Sequence, residues 1–337
     1  MAPNLLIRSI QAAILTFAAL HTPNVQAQAV PNGVFWDGLG AIRNLWVAGA
    51  SIEYIGSFPF DWSTTANGPN HINYIVQDRQ ITLQKFAYPG AVTDPAYAMP
   101  TEILPGFSPI INWPDQINNI ISLFNMMKSA GSATMRDSLF VFTASNTGND
   151  VLNTWNTTND QGQLIDGLVA TMRTKFGDLY NAGARNFIFL SVLPAQYIPE
   201  INILPASDQA TVAGFVANYQ SAIDGLVNDL RDDVIYSGQI TIFQPNFTPV
   251  LIAIAEGTFT EGPTAGYLNR TGYCPEYLPL GILIPPNPDF QSGNCLIARK
   301  YLFHDMIHFT SPAHCEYALN TLTELGDNRL PSNCQFA

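Results

Sequence analysis

The sequence predicts an α/β protein, a three-layer α/β/α sandwich around a mostly parallel, five-stranded sheet. Short apolar, β-rich runs alternate with longer segments of helical period, which is the pattern of parallel strands joined by crossover helices. The length, 337 residues, suits one α/β domain with a large core, and no linker, repeat or low-complexity tract interrupts it. Polar or glycine positions follow three successive strands, Ser51 after the first, Gly90 after the second and Ser145-Asn146 after the third. In such sheets ligands bind beyond the carboxyl ends of the strands, so these positions should converge on one crevice.

Each element has its own signal in the sequence. The apolar run Leu45 to Ala50 reads as the first strand, stopped by the small residues Gly49-Ala50-Ser51. Asn70 to Gln77 reads as a short helix, followed by a second strand over Leu83 to Tyr88 that ends at the turn signal Pro89-Gly90. Pro114 to Ser129 has helical period and leads to a third strand, Leu139 to Ala144. Asp160 caps a long helix to Ala182, and Phe187 to Val192 forms the fourth strand. Asp208 to Asp232 is the next helix and Ile240 to Phe243 the fifth strand, while helices over Thr248 to Glu256 and Pro312 to Leu325 complete the set.

Composition narrows the function. Residues 1–27 read as a cleaved secretory signal, with one basic residue before an apolar stretch too short to span a bilayer and the small-residue pattern Ala27-Gln28-Ala29 at its end. Residues 28–337 are then a single mature domain, expected to be extracellular, free of stable membrane association and monomeric. The formal net charge of −12 opposes nucleic acid and anionic membranes as partners and favours a neutral substrate. Charged residues are only 12% of the chain, so amides and hydroxyls carry much of the surface. Sequons at Asn156, Asn246 and Asn269 offer glycosylation sites. The four cysteines, Cys274, Cys295, Cys315 and Cys334, suggest two disulfides in an oxidising compartment; of three connectivities the sequential one closes the shortest loops.

Two distant segments supply a catalytic constellation. A serine hydroxyl becomes a nucleophile when an imidazole takes its proton, and that imidazole needs an acceptor on its other nitrogen. Ser51 is the candidate nucleophile, His308 the base, and Asp305, three residues earlier, the orienting carboxylate. Four blocks in order resemble the SGNH, or GDSL-type, hydrolases, and within them the secreted fungal carbohydrate acetylesterases. These are Gly49-Ala50-Ser51-Ile52-Glu53-Tyr54-Ile55-Gly56, Gly68-Pro69-Asn70-His71-Ile72-Asn73-Tyr74, Phe86-Ala87-Tyr88-Pro89-Gly90-Ala91-Val92 and Phe303-His304-Asp305-Met306-Ile307-His308. The resemblance implies a flavodoxin-like sheet and an oxyanion hole formed by the backbone N–H groups of Ser51 and Gly90 and the side-chain amide of Asn146. It also implies an acetylated plant-wall carbohydrate as the ester substrate, and no cofactor.

The chain departs from that pattern at two places. Ala50 stands where the family has an aspartate, and Ala144-Ser145-Asn146-Thr147 stands where it has Gly-x-Asn-Asp. A second register, Thr147-Gly148-Asn149-Asp150, offers Asn149 as the donor instead; Asn146 is preferred because it lies closer to the end of the third strand. Two other activities compete with carbohydrate deacetylation: acyl hydrolysis of a lipid or lysophospholipid, and saccharide binding on a weakened scaffold. His304-Asp305-Met306-Ile307-His308 also has the spacing of a zinc-hydrolase motif, but that motif needs a continuous helix and a third ligand, so no metal is expected. Trp62, Trp113 and Trp155 fall in predicted loops, where ordinary packing is the simpler reading.

Overall fold

The computed structural model describes residues 33–56, 64–100, 109–157, 160–277 and 287–334, all within one unit, Asn32–Ala337. The signal segment and Trp62 lie outside the described residues. Five strands form one sheet: β1 (Asn44–Val47), β2 (Thr82–Lys85), β3 (Ser138–Thr143), β4 (Asn186–Phe189) and β5 (Thr241–Phe243). Their order is β2-β1-β3-β4-β5 and every pair is parallel. The α/β sandwich and its five-stranded sheet are therefore as the sequence predicts. Strands β1, β3, β4 and β5 are buried at every position, which is why they read as apolar runs.

Eight α-helices accompany the sheet among the described residues: α1 (His71–Val76), α2 (Trp113–Ser129), α3 (Asn146–Thr154), α4 (Gln161–Ala182), α5 (Pro199–Asn202), α6 (Ala206–Asp232), α7 (Thr248–Glu256) and α8 (Ser311–Glu324). The direction of travel explains the layers. From β1 the chain moves outward to β2, then crosses back over β1 and continues in the opposite direction through β3, β4 and β5. Right-handed crossovers then put α1 on one face and α2, α4 and α6 on the other. Packing follows that division, with α2 against α4, α4 against α6, and α1 against α8.

The two faces of the sheet differ in filling because successive residues point to opposite sides. Trp46, Phe140 and Phe187 are in register across β1, β3 and β4. Phe124 of α2 meets Trp46 edge-on at 5.4 Å and Phe140 at 5.2 Å, and Phe176 of α4 lies 4.6 Å from Phe187. The opposite face carries smaller aliphatic side chains, Val47, Val141 and Ile188, also in register. Replacing a fully buried aromatic such as Phe140 by alanine should cost about 3–5 kcal/mol. This rigid slab presents the carboxyl ends of β1 and β3 side by side, where the strand order reverses and ligands bind in open α/β sheets.

Two differences from the sequence reading stand out. Strands β1, β2 and β4 stop three residues short of the predicted ends and β3 one residue short, while β5 ends as predicted, leaving Ala48 to Ala50 and Ala144-Ser145 as loops at the sheet edge. Helix α3 occupies a stretch with no predicted element. The disulfides are Cys274–Cys295 and Cys315–Cys334, the pairing with the shortest loops, and no free cysteine remains. No helix among the described residues is long and apolar enough to cross a membrane.

Candidate active site

Ser51 sits in the turn after β1, and that turn is held from several sides. The fully buried Gln116 side chain of α2 accepts from the Gly49 N–H at 2.8 Å and donates to the Gly49 carbonyl at 3.0 Å. Only glycine fits at position 49, because an added Cβ would lie 2.6 Å from Glu53 Oε2 and 2.9 Å from Ala144 Cβ. Asn70 does two jobs at the start of α1. Its side-chain oxygen caps the helix by accepting from the Asn73 N–H at 3.1 Å, and its amide donates to the carbonyls of Ile52 (3.0 Å) and Tyr54 (3.1 Å). Thr65 Oγ1 donates to the Ser51 carbonyl at 2.9 Å.

Asp305 and His308 come from a tight loop between Phe303 and Phe309, which are bridged antiparallel. The His304 N–H donates to the His308 carbonyl at 2.7 Å, closing the loop. Asp305 Oδ1 accepts from the N–H groups of Ile307 (2.8 Å) and His308 (2.7 Å), an Asx-type turn that leaves Oδ2 for the imidazole. The His304 to His308 segment is not helical, and helix α8 starts only at Ser311. The continuous helix of the zinc motif is thus missing. The loop is anchored where α8 begins: Ser311 Oγ donates to the Pro69 carbonyl at 2.7 Å, and the Ser311 N–H donates to the Ala66 carbonyl at 3.0 Å.

Residues 257 positions apart thereby meet. Ser51 Oγ lies 2.7 Å from His308 Nε2, and His308 Nδ1 lies 2.7 Å from Asp305 Oδ2. An ionised carboxylate only accepts, so it fixes the imidazole proton on Nδ1 and leaves Nε2 to accept from the serine hydroxyl. Burial pushes the Asp305 carboxyl upward, but the adjoining His308 ring and its hydrogen bonds outweigh this and hold it at about 2. It is therefore charged wherever a neutral imidazole is available. Ser51 and His308 are both buried, at 3% and 4% exposure, which strengthens the polar interactions between them.

The pocket beside Ser51 is walled by Ile52, Leu152, Leu193, Ile198, Ile307 and Phe309, with Ser145, Gly148 and Asn149 on the β3 side. The oxyanion candidates are placed unequally around it. Gly90 occupies a turn with a φ of 77°, a left-handed conformation that favours glycine, and the Tyr88 N–H ties the turn to the Gly49 carbonyl at 3.2 Å. Neither the Ser51 nor the Gly90 N–H donates to a described residue.

Asn146 is directed away from the pocket. It is fully buried, its amide donates to Thr93 Oγ1 at 2.7 Å, and its oxygen accepts from the Ala144 N–H at 3.2 Å. Asn149 lines the pocket instead and donates one N–H to the Ala91 carbonyl at 2.9 Å, next to Gly90. The preference for Asn146 rested on its lying closer to the end of the third strand. The chain instead turns directly into α3 at Asn146, so the side chain one helical turn later reaches the pocket.

Behind α3 lies a buried polar brace that sequence reasoning missed. Asp150 accepts from the Thr93 N–H at 2.9 Å and from the Tyr219 hydroxyl at 2.9 Å, joining the second loop, α3 and α6. Burial pushes the Asp150 carboxyl up to about 7 against those hydrogen bonds. Among the other sequence-singled residues, Trp113 is buried and donates its indole N–H to the Phe142 carbonyl at 2.9 Å, a packing role. Trp155 ends α3 half-buried. Asn156 and Asn246 are exposed, whereas Asn269 is half-buried, with its side-chain oxygen accepting from the N–H groups of Thr271 and Gly272. No group of metal-ligating residues is found among the described residues. Neither protein-family models nor curated proteins give a match to the chain.

Proposed function

We propose that the chain is a serine-dependent carboxylic ester hydrolase. The observation that carries this reading is the relay from Ser51 through His308 to Asp305, with both links at 2.7 Å. In the cycle, His308 Nε2 takes the Ser51 proton as Oγ attacks the ester carbonyl, and the imidazolium then gives that proton to the departing alcohol. Water activated by the same nitrogen hydrolyses the acyl-serine. The Ser51 and Gly90 N–H groups and the second N–H of the Asn149 amide supply donors for the oxyanion.

The acyl group fits the apolar wall formed by Ile52, Leu152 and Ile198, and a short acyl chain suits the small space beside Ser51. Acetylated plant-wall carbohydrate is the substrate class to which the four sequence blocks point. The two disulfides agree with a secreted protein. The test is turnover of chromogenic esters of increasing acyl length by the purified protein and by Ser51→Ala. Acetyl-ester turnover lost in Ser51→Ala supports the reading, and activity that grows with acyl length assigns a lipid ester instead. Turnover that survives in Ser51→Ala refutes the serine mechanism.

A further inference from the structure

Glu53 is a buried carboxyl for which the proposed ester hydrolysis has no use, and it sits at the junction of the two loops that form the site. Its Oε2 accepts from the Ala50 N–H (3.2 Å), the Ser145 N–H (3.1 Å) and the Ser145 hydroxyl. Ala50 precedes the nucleophile and Ser145 lines the pocket, so one oxygen clamps the end of β1 to the end of β3. The side chain is 1% exposed, and no lysine or arginine among the described residues pairs with it.

The other oxygen has different surroundings. Oε1 has no hydrogen-bond partner among the described residues and lies 3.7 Å from His71 Nε2, which likewise has none among them. The tautomer of His71 follows from its neighbours. His314 Nδ1 accepts from the His71 backbone N–H at 3.2 Å and so carries no proton; His71 Nδ1, 3.3 Å from that same atom, must then be the protonated nitrogen. That leaves a lone pair on His71 Nε2 facing Oε1. With Glu53 ionised, two acceptors would oppose each other in a dry interior, whereas a proton on Oε1 resolves the conflict.

We propose that Glu53 is a positioning residue that holds the Ser51 loop against the Ser145 loop in its neutral form, with its proton on Oε1 directed at His71. The assignment rests on the ester-hydrolase reading. The titratable groups facing Glu53 are His71 from α1 and Tyr317 from α8, with the His71 ring stacked on Tyr317 at 4.4 Å and His314 of α8 meeting His71 rather than Glu53. Burial raises Glu53 to about 7 despite its hydrogen bonds, and burial lowers His71 to about 3, so the proton resides on the carboxyl.

Glutamine mimics a protonated glutamate, because it keeps one acceptor oxygen and offers a donor to His71. Glu53→Gln should therefore retain kcat within about threefold and lose any wild-type decline in kcat above neutral pH. Glu53→Ala should lose kcat by about 100-fold with KM little changed, since the loop and not the substrate contact is lost. Infrared difference spectra of wild type against Glu53→Gln should show a protonated carboxyl band at pH 5 that disappears as the pH passes 7. This measurement decides the matter even if Glu53→Ala fails to fold. A carboxylate band at pH 5, or Glu53→Gln as impaired as Glu53→Ala, overturns the assignment. Absence of Ser51-dependent turnover in the wild type instead overturns the hydrolase reading, and the positioning role falls with it.

Discussion

Asp305 divides its two oxygens between structure and chemistry: Oδ1 shapes the loop through two backbone N–H groups and Oδ2 orients His308. Asp305→Asn keeps a carbonyl oxygen for the loop but can present an N–H to His308, which then adopts the wrong tautomer. We expect kcat to fall by about 10⁴-fold with the Tm nearly unchanged, as steady-state kinetics beside a thermal melt will show. The two asparagines of α3 separate in the same way. Asn149→Ala should reduce kcat by about 100-fold to 1,000-fold by removing a donor at the pocket. Asn146→Ala leaves the Ala144 N–H without a buried partner and Thr93 Oγ1 with only the Tyr219 hydroxyl, and should cost about 1–3 kcal/mol of stability, with a smaller effect on kcat. An equal loss of kcat in both variants would contradict the assignment of the donor.

The strands were legible as elements because a buried parallel strand needs apolar side chains on both faces, which Leu45-Trp46-Val47 and Leu139-Phe140-Val141 provide. Helix α3 was not legible. Its sequence, Asn-Thr-Gly-Asn-Asp-Val-Leu-Asn-Thr, is mostly weak helix formers, and it is helical because Asn149 and Asp150 are fixed by the loop after β2. Missing that helix also hid which asparagine of this stretch, Asn149 and not Asn146, lines the pocket. That Ser51, His308 and Asp305 would meet was legible because their residue types and the Asp305 to His308 spacing are specific, whereas nothing in the sequence marks Glu53 and Asp150 as buried.

The Cys274–Cys295 disulfide supports a different element, a satellite cluster of Tyr277, Ala298 and Tyr301 beside the triad loop. Tyr277 stacks on His304 at 6.2 Å, immediately before Asp305. Each disulfide closes a loop worth about 3 kcal/mol in the chain-entropy model. Cys274→Ala with Cys295→Ala should therefore lower both Tm and kcat, while Cys315→Ala with Cys334→Ala should lower Tm with a smaller effect on kcat. Equal effects on kcat would show that the satellite cluster does not hold the triad loop.

Over the whole molecule, buried titratable groups give stability a definite pH dependence. Glu53, Asp150 and Glu316 are each raised to about 7, by burial above all. A raised carboxyl favours the folded state fully below its unfolded value, and that contribution is lost as the pH rises through about 7. His71, lowered to about 3 by burial, acts oppositely: its contribution is full above its ordinary 6.5 and is lost as the pH falls toward 3. His314, buried beside it, is lowered as well. The Tm should consequently peak on the acid side of neutrality, near pH 5, and decline toward both pH 3 and pH 7. A thermal-melt series across that range checks this, and a Tm that rises steadily to pH 7 would contradict it.

All of this centres on one atom, Ser51 Oγ, poised against His308 at the point where the strand order of the sheet reverses. The most direct measurement is covalent trapping: the purified protein is treated with a serine-directed phosphonate and the adduct is located by mass spectrometry, beside His308→Ala. The account predicts a single adduct on Ser51, loss of acetyl-ester turnover in step with its formation, and a labelling rate in His308→Ala slower by orders of magnitude. Labelling elsewhere, or equal labelling of Ser51 without His308, would contradict it.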